Sequence, residues 1–322
     1  MHTIAKIKLF GIWSYLIKRV ELRFFYNAKS NTTTLKIYGR NITLDLKDLE
    51  QKYLAADCVR EPENLVMYHA IANSGLLNTF IDVGANCGHV AASIANKYKA
   101  VVLFEPNPKL AFTLREMFKD MPHICIRECA IVNAAAVGHL TLTVPDDSSG
   151  LATIEGTNLS KQHRQFHTYT VEANTLEAEV ENYSISNSYI KIDVEGFEAN
   201  IIESASHLIN VHRPIVGFEA LSNKAALKCT HLFNDYVFYC ARFDFLENGG
   251  ALSRSVLGML KALIFGANIV ILKLDNLEGS ELDNFSQIYS VPREKAEEFE
   301  HAILNYSTSN PVLNLNNLKT WS

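Results

Sequence analysis

The sequence predicts an α/β protein built on a mainly parallel, seven-stranded sheet. Short apolar runs alternate with helical patterns from Thr79 onward, and this alternation is typical of parallel strands that are joined by helices. Several of the runs end in a glycine or an acidic residue, as expected where strands open onto a ligand site. The length of 322 residues is enough for one large domain of this class with additions at its ends.

Seven apolar runs are predicted as the strands of this sheet. In chain order they span residues 79–83, 100–104, 124–127, 188–192, 214–218, 236–242 and 268–272. Helical patterns follow the first, second and fourth runs, over residues 90–98, 109–119 and 197–209. After the third strand, a hairpin is predicted over residues 131–144 with its turn at Gly138, and residues 171–180 begin the next unit.

The chain is predicted to divide into an N-terminal helical extension over residues 1–64, the α/β domain over 65–297 and a C-terminal tail over 298–322. Apolar and basic side chains mix in the first part as in an amphipathic helix, with a short extended piece near residues 35–46. Charges interrupt this helix too often for a membrane span. We expect it to pack on the domain or on a partner chain, and peripheral contact with a membrane surface is the alternative.

The composition restricts the class of partner. The formal net charge is −5 and the pI is about 6.1, which argues against binding to nucleic acid because that requires a basic face. The six cysteines form no Cys-x-x-Cys pair and no zinc-type spacing, which indicates reduced thiols. Since neither a secretory signal nor a membrane span is recognisable, the predicted location is the cytoplasm.

A glycine loop follows the first predicted strand. Residues 82–88 read DVGANCG, and the two glycines allow a tight turn that brings backbone N–H groups close to a ligand. The loop lacks the additional glycine of dinucleotide-binding loops and the Lys-Ser/Thr of phosphate-binding loops. Glu105 closes the second strand, where a carboxylate can accept both hydroxyls of a ribose. A ribose site without a phosphate signature suits S-adenosylmethionine.

A second cluster of polar residues is predicted at the same edge of the sheet. Asp193 and Glu195 follow the fourth strand and are expected on one side of an extended chain, and Glu219 follows the next strand. These three carboxylates are the candidates for the base that takes a proton from an acceptor hydroxyl. They could also hold an ammonium group or a divalent metal, but no dedicated set of metal ligands is present and metal dependence is not expected. Lys191 is expected to point away from Asp193 and to support the structure or the acceptor.

Six short segments occur in a fixed order between residues 80 and 221. They read DVGANCG at 82–88, FEPNP at 104–108, SGLAT at 149–153, TLE at 175–177, KIDVEGFE at 191–198 and PIVGFE at 214–219. A seventh segment, VPREK, follows at residues 291–295. Each is short, but the ordered set resembles the FkbM-type methyltransferases, whose closing segment is similar to the seventh.

This resemblance implies a class I methyltransferase, which has a Rossmann-like sheet and S-adenosylmethionine as cofactor. By the matching motifs, the cofactor loop would contain Asp82, Gly84, Asn86 and Gly88. The resemblance also assigns Glu105 to the ribose, Asn107 and Ala130 to the surroundings of the adenine, and Asp193 with Glu195 to the methionine part and the acceptor. The departures from the family pattern are small, at Cys87, Thr153 and Glu177, and they put only the choice of acceptor in doubt.

We therefore predict an S-adenosylmethionine-dependent O-methyltransferase whose partner is a sugar or glycan-bearing acceptor. The resemblance implies a hydroxyl group of a glycolipid, a polysaccharide or a glycosylated metabolite. A non-catalytic scaffold of a glycan-assembly complex is one alternative, although such a protein is expected to have lost the cofactor loop, which is intact here. An NAD-linked oxidoreductase shares the sheet and the acid after the second strand, but the missing GxGxxG loop argues against it.

Overall fold

A central sheet organises the part of the chain that the computed structural model describes, namely residues 2–10, 31–49, 51–52, 55, 61–154, 165–220, 222–244, 267–274 and 286–314. The strands of these residues are β1 (His2–Phe10), β2 (Thr32–Ile37), β3 (Arg40–Asp45), β4 (Thr79–Val83), β5 (Ala100–Phe104), β6 (Ile124–Arg127), β7 (Cys129–Ile131), β8 (Gly138–Pro145), β9 (Phe166–Asn174), β10 (Ser188–Ile192), β11 (Ile215–Ala220), β12 (Tyr236–Asp244), β13 (Ala267–Leu274), β14 (Ser286–Pro292) and β15 (Val312–Asn314). The helices are α1 (Pro62–Asn73), α2 (His89–Ile94), α3 (Pro108–Phe118), α4 (Leu176–Val180), α5 (Glu198–Ser204), α6 (Ser206–His212), α7 (Asn223–Thr230) and α8 (Ala296–Ser309).

Ten of the described strands form one sheet, three more than the seven predicted, in the order β6-β5-β4-β10-β11-β14-β12-β13-β1-β15. The first five of these run parallel, whereas β14 lies antiparallel between β11 and β12. The prediction of a mainly parallel α/β sheet is thus confirmed. Beyond β12 the sheet continues with β13, β1 and β15, of which β1 and β15 pair in parallel and the others antiparallel.

Helices cover both faces of the sheet and bury its central strands. β4 and β10 are buried along their whole length, because helices pack on both of their faces. On one face, Phe80 and Tyr189 belong to an apolar cluster with residues of α1, α2, α3 and α8. On the other face, Ile81 and Ile190 pack with residues of α4, α5, α6 and α7. This burial explains why the central strands are uninterrupted apolar runs in the sequence.

The strand order reverses at β4, which has β5 and β6 on one side and β10 and β11 on the other. The register places Val83 of β4 beside Phe104 of β5 and Ile192 of β10. Ile192 in turn lies beside Phe218 of β11. The residues that follow these four positions therefore reach the same level at one edge of the sheet. In open α/β sheets this edge, at the point of reversal, is where ligands bind.

The N-terminal segment differs from the prediction. Residues 2–10 form β1, which pairs antiparallel with β13, so the predicted helical extension is wrong for these residues. Ala5 and Ile7 are buried whereas Lys6 is exposed, and such alternation is the pattern of a strand with one buried face. The remainder of the predicted amphipathic helix, at residues 11–30, lies outside the described residues. The extended piece near residues 35–46 corresponds to the hairpin of β2 and β3.

Part of the segment that was predicted as a C-terminal tail packs on the sheet. α8 contacts α1 and β1, and β15 pairs with β1. β14 was not predicted as a strand, yet it pairs with both β11 and β12. The sheet thus includes residues on both sides of the predicted boundaries at 65 and 297. Sequence pattern alone does not show these contacts, because they depend on strands that are distant in the chain.

Two small sheets lie beside the central one. β2 and β3 form a hairpin, and its residues Ile42 and Leu44 are fully buried in the cluster that contains α3. The other small sheet has the order β7-β9-β8. The predicted hairpin over residues 131–144 is wrong in its pairing, because β7 and β8 both pair with β9. Alternating side chains indicate a strand but do not specify its neighbour.

The helices mostly follow the sequence pattern, with one interruption. The helix predicted over residues 197–209 is divided into α5 and α6 at Ala205. α3 begins at Pro108 behind the capping side chain of Asn107, as proline suits the first turn of a helix. None of the described helices is long and apolar enough to cross a membrane.

Candidate functional site

An open cleft lies at the edge where β4, β5, β10 and β11 end. Its wall includes one residue at or just beyond the end of each strand, namely Gly84, Glu105, Asp193 and Glu219. Three more of the predicted site residues also line the cleft: Asn86, Ala130 and Glu195. The other three lie behind this lining: Asp82, Gly88 and Asn107. The structure therefore brings the predicted site residues together at one edge of the sheet.

The loop after β4 is shaped by left-handed backbone at Gly84, Asn86 and Gly88, where φ is 85°, 50° and 79°. A Cβ atom at Gly84 would overlap the carbonyl oxygen of Asp193, so only glycine allows the loop to approach the end of β10 this closely. A Cβ atom at Gly88 would lie 2.5 Å from Cδ2 of Leu114, which reflects the close packing of α2 on α3. Both glycines thus serve the packing of the loop, and Gly84 also lines the cleft.

Two backbone N–H groups hold the carboxylate of Glu105. The N–H of Asn86 donates to Oε2 at 2.8 Å, and the N–H of Asn107 donates to Oε1 at 2.9 Å. Burial raises the pKa of Glu105 to about 7, although both hydrogen bonds oppose this rise. Each carboxylate oxygen retains acceptor capacity. A fixed carboxylate of this kind in the cleft wall can accept hydrogen bonds from both hydroxyls of a ribose.

Asn107 and Ala130 occupy different positions relative to the cleft. The Oδ1 atom of Asn107 accepts a hydrogen bond from the N–H of Lys109 at 3.1 Å and so caps α3. Asn107 therefore supports α3 and Glu105 from behind the lining. Ala130 lies in β7 at an apolar end of the cleft, in one cluster with Leu142, Ala152 and Ile154. This end can accept a flat, largely apolar ring.

Lys191 lies between two carboxylates. Its Nζ atom is 3.2 Å from Oδ1 of Asp82 and 3.1 Å from Oδ2 of Asp193. The expectation that Lys191 points away from Asp193 is wrong, because residues two positions apart lie on the same side of a strand. Burial alone would lower the pKa of Lys191, but the charges of Asp193 and Asp82 raise it above its usual value. The lysine stays charged and compensates part of the negative charge at this edge.

Three carboxylates meet at the ends of β10 and β11. Asp193, Glu195 and Glu219 each place one oxygen within 4.8 Å of the others, a spacing that could hold a divalent cation. Asp193 and Glu195 were expected on one side of an extended chain. This expectation is wrong, because Glu195 lies in a turn with a φ of 55°. Two backbone N–H groups of the turn donate to Oε1 of the buried Glu198, at 3.0 and 3.1 Å. Glu198 thus holds the turn that carries Glu195.

Glu219 and Asp193 differ in their surroundings. Burial, and then the charges of Asp193 and Glu195, raise the pKa of Glu219 to about 9, so Glu219 is protonated at neutral pH. Its Oε2 atom is buried and has no hydrogen-bond partner within the described part of the chain. The side chain of Asp193 is 34% exposed and is paired with Lys191. A protonated carboxyl can donate a hydrogen bond to a ligand, whereas an ionised one can only accept.

Glu61, Tyr68 and Ser149 also line the cleft but were not assigned to it from the sequence. The hydroxyl of Tyr68, in α1, donates to Oε1 of Gln287 at 3.1 Å. No motif marks Glu61 or Tyr68, since α1 reaches the cleft only through its packing on the sheet. Ser149 belongs to the SGLAT segment, and this membership was the one signal of its position.

These features fit S-adenosylmethionine better than a dinucleotide. Glu105 can hold a ribose, and an apolar end beside it can hold an adenine. Among the described lining residues, Lys191 is the one lysine or arginine, and both of its partners are carboxylates. The described lining therefore offers no unpaired lysine or arginine for a pyrophosphate. This agrees with the absence of a phosphate-binding loop in the sequence.

Solved structures of several methyltransferases are similar to this chain. Methyltransferase FkbM from Methylobacillus flagellatus KT shows 16% identity and a TM-score of 0.36, over 76% of this chain and 55% of that one. The chain thus spans just over half the length of that protein. M. jannaschii TYW2 in complex with AdoMet shows 9% identity and a TM-score of 0.34, over 82% and 88% of the two chains. A SAM-dependent O-methyltransferase from Thermotoga maritima shows 6% identity and a TM-score of 0.34, over 73% and 66%.

The family itself is established by sequence. A search of curated proteins finds no match. The profile of the methyltransferase FkbM domain, however, matches residues 82–246, which is just over half of the chain. This range contains the glycine loop, Glu105 and the carboxylates of β10 and β11. The chain belongs to the FkbM methyltransferase family, with a class I Rossmann-like fold and S-adenosylmethionine as its cofactor.

Proposed function

We propose that this protein is an O-methyltransferase that methylates a hydroxyl group of a sugar in a glycolipid, a polysaccharide or a glycosylated metabolite. One observation carries the proposal, namely the three carboxylates of Asp193, Glu195 and Glu219 in the wall of the cleft. Sugar hydroxyls both donate and accept hydrogen bonds, and ionised and protonated carboxyl groups together can match both roles, so this wall suits a neutral acceptor with several hydroxyls. A hydroxyl also has to lose its proton during methylation, and a carboxylate can take it.

Asp193 is the group that we assign as the base. Its side chain is 34% exposed at the cleft, and its ion pair with the buried Lys191 holds it in place. Glu219 carries a proton at neutral pH and can donate a hydrogen bond to another oxygen of the acceptor. Glu195 is exposed beside them and can orient the acceptor. Bound S-adenosylmethionine supplies an activated methyl group, so the protein has mainly to align the acceptor and remove its proton.

The cofactor is proposed to bind between the glycine loop and the apolar end of the cleft. Gly84 and Asn86 would contact it through the loop, Glu105 would hold the ribose, and Ala130 would lie beside the adenine. Asp193 would also face its methionine part. The three residues behind the lining support these contacts, since Asp82 holds Lys191, Gly88 allows α2 to pack on α3, and Asn107 holds Glu105.

We further propose that the acceptor is a glycan rather than a nucleic acid and that the protein acts in the cytoplasm. Carboxylates dominate the acceptor end of the cleft, and a phosphate backbone would be repelled there. None of the five cysteines among the described residues is in a disulfide, which suits a reducing compartment.

The proposal is tested in two steps. Calorimetric titration with S-adenosylhomocysteine, with NAD as the control ligand, should show saturable binding of the first alone. The protein is then incubated with S-adenosylmethionine and a panel of sugars, glycolipids and polysaccharide fragments, and products are examined by mass spectrometry and NMR. A new O-methyl ether on a sugar supports the proposal. A methyl group on nitrogen or carbon would contradict it, and binding without turnover across the panel would favour the non-catalytic scaffold.

A further inference from the structure

We propose that Ser149 binds the adenosine part of the cofactor through its hydroxyl group, and that Asp48 is the residue that positions it. Asp48 lies in the segment that follows the β2–β3 hairpin, outside the range that the family profile matches. The inference rests on S-adenosylmethionine as the cofactor and goes beyond the proposed function. It makes an N-terminal segment part of the cofactor site.

Ser149 lies in the wall of the cleft, and its buried hydroxyl has no partner among the described residues. The residue is 8% exposed. Buried hydroxyls in proteins are nearly always hydrogen-bonded, so an orphaned one in a cleft wall points to a partner that arrives with a ligand. A ligand group that hydrogen-bonds this hydroxyl would remove the cost of burying it.

The topology places Ser149 on the adenosine side of the cleft. The turn Ser149–Leu151 follows β8, and Thr153 folds back to pair with Thr143 of that strand. β8 is joined through β9 to β7, which follows β6, the strand beside β5 and Glu105. Asp193 and Glu219 lie on the other side of β4, at the ends of β10 and β11. The ligand part that Glu105 can hold is therefore the part nearest to Ser149, and the acceptor lies at the other end.

The cleft residues around Ser149 also suit the adenosine part of the cofactor. Most cleft residues of the same small sheet and turn are apolar, among them Ala130, Leu142, Ala152 and Ile154, and Thr153 is a polar one. A base can rest on such a surface, but its nitrogen atoms still require hydrogen bonds when they are buried. A serine hydroxyl can both donate and accept, which suits the edge of a base or a ribose hydroxyl.

Asp48 holds the backbone of Ser149. The carboxylate is 5% exposed, and its Oδ2 atom accepts a hydrogen bond from the N–H of Ser149. Its Oδ1 atom accepts from the N–H of Gln51 at 2.9 Å, which fixes the carboxylate itself. A second hydrogen bond lies beside the one from Ser149, since the N–H of Leu49 donates to the carbonyl of Asp147 at 2.7 Å. The segment after β3 and the turn after β8 are thus joined at two points.

The position of Asp48 is in turn set by the hairpin. Ile42 and Leu44 of β3 are fully buried, and β3 contacts α3. α3 begins just after the loop that carries Glu105 and Asn107. Ser149 is therefore held relative to Glu105 through the hairpin on one side and through β7, β8 and β9 on the other. Loss of the hydrogen bond between Asp48 and Ser149 would remove one of these two supports.

The first experiment measures binding to the full chain. Ser149→Ala is expected to weaken the affinity for S-adenosylhomocysteine by about threefold to tenfold, as for the loss of one hydrogen bond. 5′-Methylthioadenosine contains the adenosine part without the amino acid, so its affinity should fall by the same factor. Ser148→Ala is the matched control, because Ser148 is also buried but lies outside the cleft lining. It should leave both affinities unchanged.

The second experiment tests the positioning role of Asp48. Asp48→Asn should weaken the binding of both ligands as Ser149→Ala does. The double variant should bind them no more weakly than Ser149→Ala alone, because both changes act on one contact. Asp45→Asn is the nearby control, since Asp45 ends β3 and its Oδ1 atom accepts an exposed hydrogen bond from the N–H of Lys47. A merely structural role of Asp48 would instead give additive losses in the double variant and would overturn this part of the proposal.

Each other outcome also decides the question. Unchanged affinity of Ser149→Ala for both ligands would overturn the role of Ser149. A loss for S-adenosylhomocysteine without a loss for 5′-methylthioadenosine would place Ser149 at the amino-acid part and contradict the adenosine contact. An increased KM for the acceptor with unchanged cofactor affinity would move Ser149 to the acceptor end. Failure of the unsubstituted protein to bind either ligand would contradict the cofactor site itself, which separates this result from a failure of Ser149 alone.

Discussion

Lys191 and Asp193 form an ion pair at the end of β10, with 3.1 Å between Nζ and Oδ2. The lysine is almost completely buried and also contacts Asp82, whereas Asp193 reaches the cleft. The pair therefore links the interior of the sheet to the surface on which the acceptor is proposed to bind. It also sets the direction of the carboxylate that is assigned as the base.

Asp193→Asn is expected to reduce kcat by about 10²–10⁴-fold, because an amide cannot take the proton of the acceptor hydroxyl. The free energy of unfolding should change far less, since the asparagine oxygen can still accept a hydrogen bond from Lys191. Steady-state kinetics and thermal unfolding check the two parts. Asp235→Asn is the control, because Asp235 forms an exposed ion pair with Arg293 away from the cleft. A kcat near that of the wild type would remove Asp193 from the mechanism.

Glu105→Ala is expected to abolish measurable cofactor binding, with a loss of at least about a hundredfold for two hydrogen bonds to a charged group. The fold should persist, because the substitution removes one side chain from the cleft wall. Calorimetric titration with S-adenosylhomocysteine measures the affinity, and circular dichroism checks the fold. Glu128→Ala provides a matched change, since Glu128 follows the neighbouring strand β6 but pairs with Arg115 at the surface. Unchanged affinity in Glu105→Ala would mean that the ribose site is misplaced.

Glu219→Gln is expected to flatten the pH dependence of stability. The pKa of Glu219 is raised from 4.5 to about 9, so its protonation contributes a stability that is fully present below pH 4.5 and is lost as pH rises through about 9. Wild-type thermal midpoints should therefore fall over this range more steeply than those of the neutral glutamine variant. Glu294→Gln should not change the slope above pH 5, because Arg213 lowers the pKa of Glu294 to about 2. Parallel slopes for wild type and Glu219→Gln would contradict the raised pKa.

Gly84→Ala is expected to destabilise the protein more than Gly75→Ala. Both glycines have positive φ, 85° and 74°, so each substitution costs about 1–2 kcal/mol of backbone strain. Gly75 has open space around a Cβ atom, whereas Gly84 would overlap the carbonyl oxygen of Asp193. Chemical denaturation measures the difference in the free energy of unfolding, and titration measures the loss of cofactor binding at Gly84. Equal destabilisation would show that the loop can move away from β10.

Removal of divalent metal is expected to leave turnover unchanged. The three carboxylates could hold a cation, but Lys191 lies 3.1 Å from Asp193 and Glu219 is protonated at neutral pH, so their charge is already reduced. The measurement is kcat before and after dialysis against EDTA, and again after addition of Mg²⁺ or Mn²⁺. Loss of turnover that is restored by the metal would show that the carboxylates act as metal ligands.

Much of the sheet and of its edge was predictable from the sequence. The central strands are buried on both faces, so they stand out as apolar runs such as residues 79–83 and 188–192. In a parallel sheet the ends of such runs meet at one edge, so the polar residues after them, including Glu105 and Asp193, were expected to lie together. The other strands were harder to assign. β1 alternates buried and exposed residues, so it does not form an uninterrupted apolar run. β14 lies between two strands that are distant from it in the chain.

The sequence by itself determined the class of fold, the family and the edge at which the site lies, because short-range patterns and ordered motifs record burial and chain reversal. Only the tertiary structure decided which groups touch there. It paired Lys191 with both Asp82 and Asp193, and it joined Asp48 to Ser149 across 101 residues of chain. It also buried Glu219 and placed it beside other carboxylates, and both effects raise its pKa. These properties depend on distance and burial between remote segments, and the order of residues in a chain does not specify either one.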